Sequence, residues 1–111
     1  MNYPVTITPQ AKNDPADIYD HICYELFAPN TADNQLDRLE KAILELDTFP
    51  FKYRLYESET WKTRGLHIMP VDNYVVLYIP DEESSTVTVI RVMYAGRDIE
   101  KQLNEDSVFG F

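Results

Sequence analysis

Eight side chains could meet a phosphate or a partner's carboxylate: Lys52, Arg54, Lys62, Arg64, His67, Arg91, Tyr94 and Arg97. Lysine and arginine hold phosphate through charge and several N–H donors, so these cations are the first candidates for a working surface. Four of them lie within residues 52–64, opposed there only by Glu57 and Glu59. The rest of the chain is acidic, and its 111 residues carry a net charge of −9. That total argues against nucleic acid, because phosphate binding is driven by basic residues. The local excess leaves two readings open, a phosphate-binding surface or a solvated loop with scattered cations. Arg91 stands inside an apolar run from Thr86 to Ala95. A guanidinium there is costly unless it reaches water or an acid, so an ion pair with a helix acid such as Asp17 or Asp20 is expected. Contact with a phosphate or a partner's carboxylate is the alternative. Tyr74 and Tyr78 are read either as core tyrosines at strand spacing or as platforms for stacking bases.

Other chemistries find little support. His21 and His67 fall in different elements and no nucleophile elbow exists, so a serine or cysteine triad is not expected. The carboxylates are strewn over helix faces and turns without ligand spacing, and Cys23 is the only cysteine, which excludes an internal disulfide and structural zinc. Gly65, Gly96 and Gly110 form no phosphate-cradling loop. No metal and no cofactor are therefore expected. No apolar run approaches the roughly 20 residues needed to cross a bilayer, so no membrane partner is expected and the chain is placed in the cytoplasm. With 44% hydrophobic and 13% aromatic residues, it suits one domain with a modest core.

The elements that must position these side chains follow from pattern. Residues 3–8 read as a short strand with Val5 and Ile7 on one face. Thr8 caps a helix that starts at Pro9. Pro15 is expected to break or kink it, with Asp14 as a fresh cap for a main helix over 15–27 that buries Ile18, Ile22, Cys23 and Leu26. Pro29 and Asn30 open a second helix, capped by Asn30, whose apolar residues Leu36, Leu39, Ile43 and Leu46 recur at helical spacing. So short a connection predicts an antiparallel helix hairpin. Three β-rich runs follow, Leu66 to Val71, Tyr74 to Ile79 and Thr86 to Ala95, separated by polar turns. Both faces of the last two are apolar, so the sheet should be covered by the helices on one side and partly covered on the other. Arg97 to Leu103 reads as a short final helix, and residues 104–111 as a tail. The expected fold is α+β, a β-α-α-β-β-β order in which a helix hairpin packs on a mainly antiparallel four-stranded sheet.

Four stretches carry a more specific signal: Thr8-Pro9-Gln10-Ala11 leading to Asp17-Ile18-Tyr19; Leu44 to Pro50; Pro70-Val71-Asp72-Asn73-Tyr74 with Tyr78; and Val89 to Asp98. In this order they resemble the RelE/ParE superfamily of bacterial toxins from type II toxin–antitoxin modules, over Tyr3 to Leu103, which implies a single toxin domain over residues 1–103. The resemblance implies a growth inhibitor neutralised by a cognate antitoxin. RelE-like members cut messenger RNA on the ribosome without metal, and ParE-like members block DNA gyrase. For cleavage, the resemblance implies His67, Arg97 and Tyr94 as base, cation and stacking or acid group, while Lys52, Arg54, Lys62, Arg64 and Arg91 are read from their charge as binding RNA or a partner. Val75 stands where RelE-like chains often have an arginine, His67 where many have arginine or lysine, and Ile99 to Asn104 contains no tyrosine where one is expected. A homodimer is compatible with the resemblance. A degenerate module that retains only antitoxin binding is the alternative function.

Overall fold

A computed structural model describes residues 3–57 and 59–96, together with 99, 101 and 103. Its elements run β1 (Val5–Ile7), α1 (Pro9–Asp20), a π-helical turn (His21–Glu25), α2 (Pro29–Glu45), α3 (Glu59–Thr63), β2 (His67–Val71), β3 (Tyr74–Asp81) and β4 (Thr86–Tyr94). The strands form one sheet in the order β1-β4-β3-β2. β1 pairs with β4 in parallel, and the other two pairings are antiparallel. This is the expected α+β arrangement. Ile99, Lys101 and Leu103 are helical, whereas Arg97 and the tail 104–111 lie outside the described residues.

The sheet carries a core on each face, as its doubly apolar strands require. Ala11, Ile22, Leu39, Ile43 and Leu46 pack on Met69, Tyr74, Val76 and Tyr78 on the helix side. On the opposite face Trp61, Leu66 and Leu103 cover Ile68, Val75, Leu77 and Ile90. Leu39, Ile43 and Leu46 are buried as the helical spacing requires, but Leu36 is only half-buried and Gln35 lies inward in its place. Ile43→Ala should cost about 2–5 kcal/mol, because removing buried carbons loses transfer energy and leaves a cavity. The urea midpoint measures it, and an unchanged midpoint would mean that Ile43 does not pack on the sheet.

Two helix boundaries differ from expectation. Thr8 caps α1 as its type suggests, its hydroxyl accepting from Ala11 N at 3.2 Å. α1 then continues through Pro15 to Asp20 instead of restarting at Asp14. Pro15 can donate no bond to Ala11 O, but the segment is held laterally by the buried Ala11 and Asp14, so tertiary contacts offset the lost bond. The expected helix over 15–27 gives way to the π-helical turn, and Leu26 is left exposed. α2 begins at Pro29 with Ala28 as its cap and no side-chain cap bond, so Asn30 does not take that role.

Asp72 and Asn73 form the expected two-residue turn between β2 and β3. Asp72 has φ of 57°, a left-handed conformation that aspartate tolerates better than most residues. Its carboxylate accepts from Arg38 Nε at 2.6 Å and Gln35 Nε2 at 3.1 Å, which ties the turn to α2. These bonds, Arg38 first, lower the Asp72 pKa. A carboxyl whose pKa is lower folded than unfolded stabilises fully above its unfolded pKa, near 4, and loses that contribution as pH falls through the folded value. Asp72→Asn should therefore flatten the loss of stability on acidification below about pH 4. Urea midpoints measured across that range check it, and parallel pH profiles for parent and variant would show that the Arg38–Asp72 pair adds nothing.

Candidate functional site

The candidate residues fall into three groups, and strand register decides which meet. His67 opens β2 opposite Tyr78, whereas Tyr94 closes β4 opposite Tyr74. Tyr74 and Tyr78 are four residues apart on one strand, roughly 13 Å at about 3.3 Å per residue, and β2 and β4 are separated by β3. The structure does not bring His67 and Tyr94 together. Arg97 lies outside the described residues.

The first group surrounds His67. Segment 54–56 runs along the β2 edge, where Ile68 N donates to Arg54 O at 3.0 Å and Tyr56 N to Leu66 O at 2.8 Å. This brings Arg54 beside His67, with Leu55 bridged to it directly. His67 itself is 9% exposed. Its Nδ1 lies 2.9 Å from Gly65 O, so that nitrogen carries the proton and donates. The ring sits between Tyr78, with centroids 5.5 Å apart, and Phe51, at 5.9 Å. Tyr78 donates its hydroxyl to Pro50 O at 2.8 Å, and burial pushes its pKa far up, so it remains a neutral donor. Both tyrosines considered for base stacking, Tyr74 and Tyr78, are core residues. Lys52 is exposed and lies over the Tyr53 ring.

The second group belongs to α3 and the turn after it. Trp61 is 1% exposed and anchors the core opposite the helices. The Arg64 guanidinium lies 4.9 Å from its ring centroid, a cation–π geometry, and Lys62 is exposed. The basic island thus spans two segments that meet beside the start of β2, the edge segment 54–56 and α3 with its following turn.

Arg91 and Tyr94 form the third group. Along β4 the register shifts so that Leu77 faces Arg91, Tyr78 faces Val89, and Ile90 is the extra residue. This bulge puts Val92, where unbroken alternation would put Arg91, into the helix-side core after Val87 and Val89. Arg91 instead meets Asp14 of α1, with Nε donating to Oδ2 at 2.7 Å and Nη2 to Oδ1 at 2.9 Å. The predicted ion pair exists, but its acid is neither Asp17 nor Asp20. Asp14 Oδ2 also accepts from Val92 N at 2.9 Å, and Thr8 Oγ1 donates to Ile90 O at 2.8 Å. Where β1 ends, side chains of the α1 segment satisfy the β4 edge. Tyr94 is exposed and meets Tyr74 edge-on at 6.0 Å. Burial first, and Tyr94 second, raise the Tyr74 pKa. Both rings border a cleft of about 690 Å³ that Asp14, Asp17, Glu25 and Arg91 also line. Among the described residues, no group of three histidine, cysteine or acidic side chains could hold a metal ion. No described helix is long and apolar enough to cross a membrane.

A helix hairpin on this four-stranded sheet is the fold of the RelE and ParE toxins. A chromosomal ParDE toxin–antitoxin system from P. aeruginosa contains a chain that superimposes with a TM-score of 0.68 at 16% identity, covering 83% of this chain and 95% of that one. The RelBE2 toxin–antitoxin complex of Mycobacterium tuberculosis gives 0.60 at 22% identity, covering 85% and 99%. The free E. coli toxin RelE, in a form with two arginines replaced by alanine, gives 0.64 at 15% identity, covering 92% and 93%. No curated protein matches the chain. Residues 5–99 match the family described as ParE toxin of type II toxin-antitoxin system, parDE, and the chain belongs to that family.

Proposed function

We propose that this toxin arrests growth by binding DNA gyrase, without cutting RNA, and that a cognate antitoxin restrains it. The observation that carries this reading is the setting of His67. A general base must reach the hydroxyl it deprotonates. Here the imidazole is buried between Phe51 and Tyr78, commits its Nδ1 proton to Gly65 O, and is separated from Tyr94 by most of the β3 strand. Messenger RNA cleavage on the ribosome would need those groups around one phosphate. The match to the ParE family favours gyrase over the ribosome as target.

The antitoxin is expected to place acidic or amphipathic residues over Arg54, Lys62, Arg64 and Arg97, so its binding should weaken with salt. Expression of the chain without its antitoxin tests the toxin reading. His67→Gln keeps a donor for Gly65 O and should arrest growth to within about twofold of the parent, because the proposed action asks no proton transfer of the imidazole. Loss of arrest by a folded His67→Gln protein would restore the imidazole to the chemistry. No arrest by the parent would leave a module that only binds antitoxin.

A further inference from the structure

Residues 21–28 carry their own set of unusual features. The π-helical turn ends with Leu26 N bonded to His21 O at 3.2 Å and Ala28 N to Ile22 O at 3.1 Å. Between them Phe27 is held at φ of 53°, the helix-terminating position that glycine fills most easily. A bulky residue there is a genuine outlier, and strain of this kind collects at binding sites. The Phe27 side chain gains nothing from the fold, since it is 86% exposed. Tyr24 and Leu26 beside it are 68% and 58% exposed. Three large apolar side chains within four residues therefore face water.

Leu26 and Tyr94 also border the 690 Å³ cleft. Among the described residues, three carboxylates line it, Asp14, Asp17 and Glu25, against one guanidinium, Arg91, which pairs with Asp14. His21 contacts Glu25 at the rim. Gly96 leaves room for the Tyr94 ring, because a Cβ at that position would collide with it. The ring meets Tyr74 edge-on while half of the residue remains open.

We propose that this face docks an amphipathic helix of a protein partner, which inserts an arginine into the cleft. A guanidinium can pair with Asp17 and stack on Tyr94, a planar cation between a carboxylate and an aromatic ring. Apolar residues of the same helix would cover Tyr24, Leu26 and Phe27. The sign of charge selects the occupant: a cleft with surplus carboxylates on a chain of net charge −9 repels phosphates and acidic peptides and attracts basic ones. The inference goes beyond the toxin reading and does not depend on which cell process is inhibited.

Two helical peptides of one amphipathic sequence, with arginine or glutamate at the central polar position, test it by NMR titration of the full chain. The arginine peptide should bind and shift amide signals within residues 17–27, 73–74 and 91–94, and the glutamate peptide should not. Asp17→Asn and Tyr94→Ala should each weaken binding about tenfold. Phe27→Gly gives a readout that a structural role cannot imitate. It should raise the thermal midpoint by relieving the left-handed backbone and still weaken the peptide. The proposal is overturned if the arginine peptide does not bind, if the glutamate peptide binds equally, or if the shifts centre on other residues. Self-association of the free chain that Phe27→Gly abolishes would also overturn it, because a second copy would then be the occupant.

Discussion

Asp14→Ala should lower the unfolding free energy by about 3–5 kcal/mol, the cost of removing one member of a buried ion pair. The Asp14 and Arg91 side chains are 8% and 13% exposed, so the guanidinium left behind has little access to water. Val92 N loses its acceptor in the same step, and an unsatisfied buried donor costs about 1–3 kcal/mol within that total. Arg91→Met in the Asp14→Ala background should recover part of the loss, since replacing both members of a buried ion pair by apolar side chains costs less than removing one of them. Urea unfolding of the parent, the single variant and the double variant checks the pair. A double variant no more stable than Asp14→Ala would mean that the cost comes from Val92 N and not from Arg91.

The second large effect is expected on the other side of the sheet. Trp61→Ala should cost about 3–5 kcal/mol, as truncation of a buried aromatic generally does. Trp61 joins Leu66, Leu77 and Leu103 in the core opposite the helices, and a domain this small has only about 5–15 kcal/mol in all. The urea midpoint should fall steeply, while Lys62→Ala, at an exposed neighbour, should change stability by less than about 0.5 kcal/mol. Equal effects from the two substitutions would show that α3 does not seal this face.

These two positions also mark where pattern alone ran out. Leu39, Ile43 and Leu46 announced α2 because helical spacing is visible whatever the fold. The turn at Asp72-Asn73 and the doubly apolar strands were equally plain, and together they gave the sheet and its two covers. Asp14 was misread because local rules make an aspartate before a proline a helix cap, whereas its partners, Arg91 and Val92 N, lie 77 and 78 residues away. The β4 bulge left no trace because both faces of that strand are apolar, so a one-residue slip breaks no alternation. Trp61 was overlooked because residues 52–64 were read by charge, although their one tryptophan is 1% exposed and anchors the core opposite the helices. The candidate site fared least well: chemistry and resemblance grouped His67, Tyr94 and Arg97, but pairing register puts His67 and Tyr94 at opposite ends of the sheet, on strands that β3 separates. Phe51 and Leu55, which flank His67, come from a segment with no periodic signal.

Net charge gives the account a wider consequence. A chain at −9 is poorly steered toward nucleic acid, and its cations act only at close range, within a Debye length of about 8 Å at physiological salt. Recognition of a protein target fits that field better than capture of a messenger RNA.

The most direct test pairs two assays of the purified full chain, DNA supercoiling by gyrase and messenger RNA integrity on programmed ribosomes. The account predicts that the chain blocks supercoiling, that added antitoxin relieves the block, and that the RNA acquires no new 5′ ends. New ends on ribosome-bound RNA, with supercoiling untouched, would contradict it.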